Sequence, residues 1–149
     1  MRHERNHYRD LRYSLWHRAA SMERYLQGWQ AASLTYLDID GIEHCAKCND
    51  PLALVETAHW TGIGDAPVKN TIPMERLAAK YEVPAYLVFY ECKYGTEPTH
   101  FRVRRLPDGT MWDYAPGEWA DVLWELRENH RCKPEHLPVG RTLELALDH

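Results

Sequence analysis

A chain of 149 residues, 44% hydrophobic and 27% charged, has the size and composition of one globular domain with a single core, expected to span residues 1–149. The net charge of −4 excludes indiscriminate coating of nucleic acid while leaving room for a local basic patch, and no apolar run reaches the ~20 residues needed to span a bilayer. The opening MRHERNHYRD lacks the apolar stretch of a secretion signal and four cysteines are too few for a disulfide framework, so a reducing, cytoplasmic setting is expected. In chain order, Tyr8, Leu11, Leu15, Met22 and Leu26 recur at helical spacings and predict a helix over 2–28. Arg2, Arg5, Arg9 and Arg12 form a ridge along it that reads as a solvated basic face or a phosphate contact.

Two apolar runs follow, Leu34 to Ile39 and Leu52 to Val55, flanking the polar Cys-Ala-Lys-Cys-Asn-Asp-Pro segment; they read as a hairpin. Side chains alternate across a strand, which places Asp38 and Asp40 on one face of the first and Glu56 at the end of the second. Three carboxylates thus converge on one hairpin, and carboxylate oxygens are what hard divalent cations such as Mg²⁺ prefer. Asp residues near Gly41 are also ordinary turn formers, so the trio has a purely structural reading beside the functional one.

The Gly- and Pro-containing TGIGDAPVKN segment is a loop able to act as a flap. Thr71 to Glu82 is a helix, with Thr71 as N-cap, Pro73 in the first turn and Met74, Leu77, Ala78 and Tyr81 facing the core. The continuous apolar run over 85–92 predicts a strand buried on both faces at the sheet centre. FRVRRL alternates, with Phe101 and Val103 inward and Arg102 and Arg104 outward. Trp119, Val122, Leu123 and Leu126 stripe a last helix over Pro116 to His130, and Leu143, Leu145 and Leu147 suggest a short edge strand. The whole is an α/β or α+β fold, a mixed central sheet flanked by helices.

Cys45 and Cys48 have the spacing of half a tetrahedral zinc site. His130 and Cys132 of ENHRC are the best candidates to complete it, ahead of His44, Cys92 and His136. Such an ion would be structural, tying the C-terminal part to the hairpin; free thiols or a redox-labile pair are the alternative.

The succession of Tyr13-Ser-Leu-Trp-His-Arg18, Leu37-Asp-Ile-Asp40, Leu54-Val-Glu-Thr-Ala58 and LAAKYEVPAYLVFY resembles the PD-(D/E)XK nuclease superfamily, which includes Holliday-junction resolvases and phage-type nucleases. The resemblance covers about residues 11–106 and implies a restriction-endonuclease-like αβββαβ core, to which 107–149 add a C-terminal helix and tail. It implies a Mg²⁺- or Mn²⁺-dependent nuclease acting on DNA, with Asp40 as the metal-binding aspartate, Asp38 as its possible replacement and Glu56 as the acid of the acid-x-Lys motif. The motif lysine would stand at 58, where this chain has Ala58; Lys69 is the substitute, because the lysine migrates to the following helix in some members of that family. His59 points to the opposite face and is a poorer one. His17, Arg18, Arg102 and Arg104 are the candidate nucleic-acid contacts, and a homodimer is open. Because Ala58 removes the motif cation, a catalytically silent nuclease fold that binds nucleic acid or a protein partner is the competing expectation, and a zinc-stapled interaction module is a third.

Overall fold

The computed structural model describes residues 27–33, 37, 39–91 and 97–138. The chain divides into two compact units, Met1–Asp38 and Ile39–His149. In the first, the short helix α1, Gly28–Ala32, is described, with Ser33 Oγ donating to the Trp29 carbonyl at 2.8 Å. The helix expected over 2–28, with its Arg ridge and with His17 and Arg18, lies outside the described residues apart from Gln27 and Gly28.

The second unit is a five-stranded mixed sheet carrying helices. Its elements are β1 (Gly41–His44), β2 (Pro51–His59), α2 (Ile72–Tyr81), β3 (Ala85–Glu91), β4 (His100–Leu106), β5 (Met111–Tyr114), α3 (Pro116–Asn129) and a 3-10 turn at Pro134–His136. The strands lie side by side in chain order, antiparallel except for the parallel pair β2 and β3, which α2 connects. A parallel pair needs such a crossover because the chain must return to the same end of the sheet. The apolar run that begins at Ala85 takes the central position, and the stretch from Ala85 to Phe89 is buried throughout.

The side-chain period of two sorts the sheet into two covered faces. Ala53, Val55, Tyr86, Val88 and Val103 pack with Trp119, Val122, Leu123 and Leu126 of α3, and the Tyr86 and Trp119 rings meet edge to face at 5.3 Å. On the other face, Leu54 and Ala85 pack with Met74 and Ala78 of α2, and Ala58, Leu87 and Phe89 lie under Trp60 and Ala66 of the following loop. The helix α2 ends because Glu82 turns into the left-handed region at φ 55°, which brings the Val83 N–H to the Ala78 carbonyl at 3.0 Å. Thr71 precedes the helix but makes no side-chain cap bond. In α3 the Glu118 carboxylate accepts the Ala115 N–H at 2.7 Å, and Pro116 needs no donor in the first turn.

Two elements differ from the sequence expectation. The strand paired with β2 is Gly41–His44 rather than Leu34 to Ile39, of which 34–36 and Asp38 lie outside the described residues while Leu37 and Ile39 carry no strand. The reason is the turn: Cys45 donates its N–H to the Asp50 carbonyl at 2.9 Å and Asn49 to the Cys45 carbonyl at 2.8 Å, so pairing can begin only at His44. The strand β5 is an addition to the expected elements, and Pro107-Asp108-Gly109-Thr110 before it is a strong turn sequence in which Gly109 adopts φ 76°. The tail strand expected at Leu143 to Leu147 lies outside the described residues. Among the described residues no helix is long and apolar enough to cross a membrane.

Candidate functional site

Asp40 stands immediately before β1, and the Gly41 to Val55 pairing brings it beside Glu56 of β2. Its carboxylate acts where the β1 ladder has not yet begun. The Thr57 N–H donates to Asp40 Oδ2 at 2.8 Å and the Thr57 hydroxyl donates to the same oxygen at 2.6 Å. The Asp40 N–H in turn points at Glu56 Oε2, at 3.4 Å. Glu56 projects on the α2 face between Leu54 and Ala58, and its Oε1 pairs with Lys69 Nζ at 3.2 Å. That carboxylate is mostly covered, at 14% side-chain exposure against 38% for Lys69.

The absence of a lysine at 58 has a packing explanation. Ala58 is buried against Leu87 and Phe89 beneath Trp60 and Ala66, where a charged side chain would have to be accommodated among apolar neighbours. Lys69 arrives from the loop before α2 and delivers its ammonium to Glu56 from outside the sheet. Asp38 lies outside the described residues, as do His17, Arg18 and Cys92. Thr57 was not singled out from the sequence, since a threonine in a strand reads simply as a good β former.

Arg102 and Arg104 share the sheet face of Glu56 but do not extend freely into solvent. The pairing rows run Glu56, Leu87, Arg104 and Ala58, Phe89, Arg102, which sets Arg104 about 10 Å from Glu56 at the usual strand spacing. The Arg104 guanidinium lies 5.5 Å from the Phe89 ring centre and that of Arg102 5.3 Å from Trp60, so each cation rests on an aromatic face. Arg102 Nε also contacts Asp113 Oδ1 at 3.4 Å, and His100 Nε2 lies 3.1 Å from the same oxygen. The loop expected to act as a flap packs down here: Gly62, at φ 83°, sits so close to the Arg102 guanidinium that a Cβ would collide with it.

At the far end of the hairpin, Cys45, Cys48, His130 and Cys132 come together, all four ligand atoms within 4.8 Å of one another. Cys45 Sγ and Cys132 Sγ are 3.7 Å apart and Cys48 Sγ and His130 Nε2 3.2 Å apart. Two sulfurs on a tetrahedral ion at about 2.3 Å each are separated by roughly 3.8 Å, so the cluster has the dimensions of a metal centre. It can hold a metal ion such as zinc. All three cysteines are free thiols, and Cys45 and Cys48 are buried with Leu52 beside Leu126 and Leu137.

The turn is shaped around its sulfurs. Burial by itself raises the Cys45 thiol, but N–H groups of Cys48 and Lys47 aimed at its sulfur outweigh that and bring it down to about 7. Burial raises Cys48 and, with the neighbouring thiols and Asp50, outweighs the N–H of Asp50. Asn49 takes the left-handed conformation at φ 63° that this reversal requires. Asp50 and His136 complete the surroundings, with His136 Nδ1 at 2.7 Å from Asp50 Oδ1 and His130 Nε2 at 3.7 Å from Oδ2. Partial burial raises the Asp50 carboxyl, yet its bond with the Cys48 thiol and the nearby His136 hold it below the ordinary carboxylate range. His136, weighed from the sequence as a ligand, instead pairs with Asp50; His44 is exposed and contacts the Cys45 carbonyl.

Comparison with protein-family models, with curated proteins and with solved structures gives no match to this chain.

Proposed function

We propose that this chain is a divalent-metal-dependent nuclease that hydrolyses phosphodiester bonds of DNA, with Asp40, Glu56 and Lys69 at its centre. The observation that carries the reading is Lys69 Nζ at 3.2 Å from Glu56 Oε1, while the Asp40 N–H points at the other oxygen of the same carboxylate. A cation reaches the acidic hairpin from another element, beside a strand position filled by the buried Ala58. The donor set suits Mg²⁺ or Mn²⁺, which need only one or two carboxylates and fill the remaining positions with water and phosphate oxygens. Among the described residues Asp40 Oδ1 takes no hydrogen bond, and Asp40 is exposed. Such an ion, when bound, supplies Lewis-acid stabilisation of the phosphate and a nucleophilic water.

The chain's own groups do the rest. Thr57 fixes the Asp40 carboxylate through two bonds, and Lys69 offsets the negative charge that gathers around Glu56 and an approaching phosphate. Arg104, further along the same face, would meet the nucleic-acid backbone beyond the reacting phosphate, whereas Arg102 is held by Trp60 and Asp113. The Cys45, Cys48, His130 and Cys132 cluster holds zinc as a structural ion remote from the chemistry, since all four positions are filled by protein.

One observation favours a second reading, a nuclease fold that binds without cutting. Asp40 and Glu56 already have partners in Thr57 and Lys69, so both carboxylates are held in place without a divalent ion. Purified protein incubated with duplex, single-stranded and branched DNA across Mg²⁺ and Mn²⁺ titrations separates the two. Cleavage that disappears in Glu56→Ala is the expected result, and retention of DNA with no cleavage at any metal concentration hands the function to the binding reading.

Thr57 supplies a finer check. Thr57→Val keeps the N–H bond to Asp40 and removes the hydroxyl bond. Loss of a partner that orients a ligand commonly costs 10–100-fold, so Mn²⁺ affinity by calorimetry is expected to fall about tenfold or more, with Thr57→Ser restoring it.

A further inference from the structure

The strand β1 has little of its own to hold it in place. It is four residues long, sits at the sheet edge and shows an intermediate Gly41 followed by exposed Ile42, Glu43 and His44, so it contributes almost nothing to either core. Its ladder with β2 is also interrupted by a register shift between Glu43 and His44. Short edge strands without buried side chains fray readily, because only solvent-exposed backbone hydrogen bonds oppose the gain in chain entropy. Yet this strand carries Asp40 at one end, and the Asp40 carboxylate meets its Thr57 partner only while Gly41 stays opposite Val55.

At the other end of the same strand, the next residue is Cys45. The Cys45 and Cys48 thiols lie on the turn that joins β1 to β2, and His130 and Cys132 come from the chain just after α3, a helix seated on the sheet through Trp119, Val122 and Leu123. An ion shared by these four would therefore clamp the hairpin end to an element anchored in the core. We propose that the Cys45, Cys48, His130 and Cys132 centre is a zinc site whose role is to hold the register of β1, and through it the position of Asp40 against Glu56 and Thr57. Its importance for catalysis rests on the nuclease reading; its effect on the strand does not. The clamp supplies the edge strand with what burial does not: a fixed end from which a four-residue ladder reaches Asp40 without slipping.

Amide hydrogen exchange on the full chain tests this, first with zinc bound and then after removal of zinc from the folded wild-type protein by a chelator, with Cys132→Ala as a second route. Zinc analysis of the untreated protein should give about one ion per chain. Without zinc, the Thr57 amide, which donates to Asp40, and the amides of β1 are expected to exchange faster by roughly tenfold or more, while those of β3 and β4 keep their protection. Adding zinc back to the chelated protein should restore the slow exchange. The proposal is overturned if the purified protein holds no zinc, if Thr57 and β1 exchange at the same rate with and without it, or if β3 and β4 lose protection equally, which would make zinc a requirement of the whole fold. A protein that cleaves no DNA but whose Thr57 amide depends on zinc would remove the nuclease reading and leave the clamp standing.

Discussion

Lys69→Ala is expected to lower Mn²⁺-dependent DNA cleavage by about 10²–10³-fold with the fold intact, and Glu56→Ala to abolish it. The magnitude follows from what the ammonium does in the proposed mechanism. A preorganised charge aimed at the reacting phosphate acts mainly in the transition state, and losing one such group typically costs on the order of 10²–10³ in rate. As an ion pair alone, Lys69 is worth little: it is 38% exposed, and such pairs contribute at most about 1 kcal/mol to stability. The two roles are separated by measuring cleavage rate and melting temperature on the same preparation. A rate loss with an unchanged melting temperature supports the catalytic cation, whereas cleavage at the wild-type rate would remove Lys69 from the mechanism and leave the carboxylates to be tested separately. Lys69→Arg retains charge but not the compact ammonium, so only partial recovery is expected.

Cys45→Ser is expected to release zinc and to lower stability well beyond the ~1 kcal/mol of an ordinary point substitution. Structural zinc binding is folding free energy, of order 10–16 kcal/mol in small zinc-dependent peptides, and here the ion would join the turn before β2 to the segment after α3. A loss of about 3 kcal/mol corresponds to a fall of roughly 6–12 °C in a chain of this size. Cys45 is fully buried, so the serine also replaces a large apolar sulfur with a smaller polar hydroxyl, and the comparison needs a chelated wild-type control. Equal melting of the zinc-containing, chelated and substituted proteins would show the thiols to be free packing groups.

The sequence made some of this legible and hid the rest for identifiable reasons. The strands β2, β3 and β4 and the helices α2 and α3 are long enough for hydrophobic periodicity to emerge, and each buries a face that fixes its pattern. The strands β1 and β5 are four residues each and mostly exposed, so they leave no alternation to read; their evidence lies in the turns beside them. The outward arginines of β4 were legible as a face but not as a destination. That Arg102 rests on Trp60 and Arg104 on Phe89 depends on which strands are neighbours, a long-range fact. The cluster of Cys45, Cys48, His130 and Cys132 was open to inference from residue type, but Cys48 and His130, 82 positions apart, are brought together only by α3 packing on the sheet. Thr57 gave no signal, because its role comes from the place where β1 stops pairing.

In the proposed mechanism Asp40 and Glu56 hold one divalent ion beside Lys69. Crystals of the protein soaked in Mn²⁺ and measured at a wavelength where manganese scatters anomalously address it directly. A single anomalous peak is expected within about 2.0–2.6 Å of a carboxylate oxygen from both Asp40 and Glu56, absent in Glu56→Ala. A Mn²⁺-soaked crystal with no peak there, and with Lys69 and Thr57 still bonded to the two carboxylates, would contradict it.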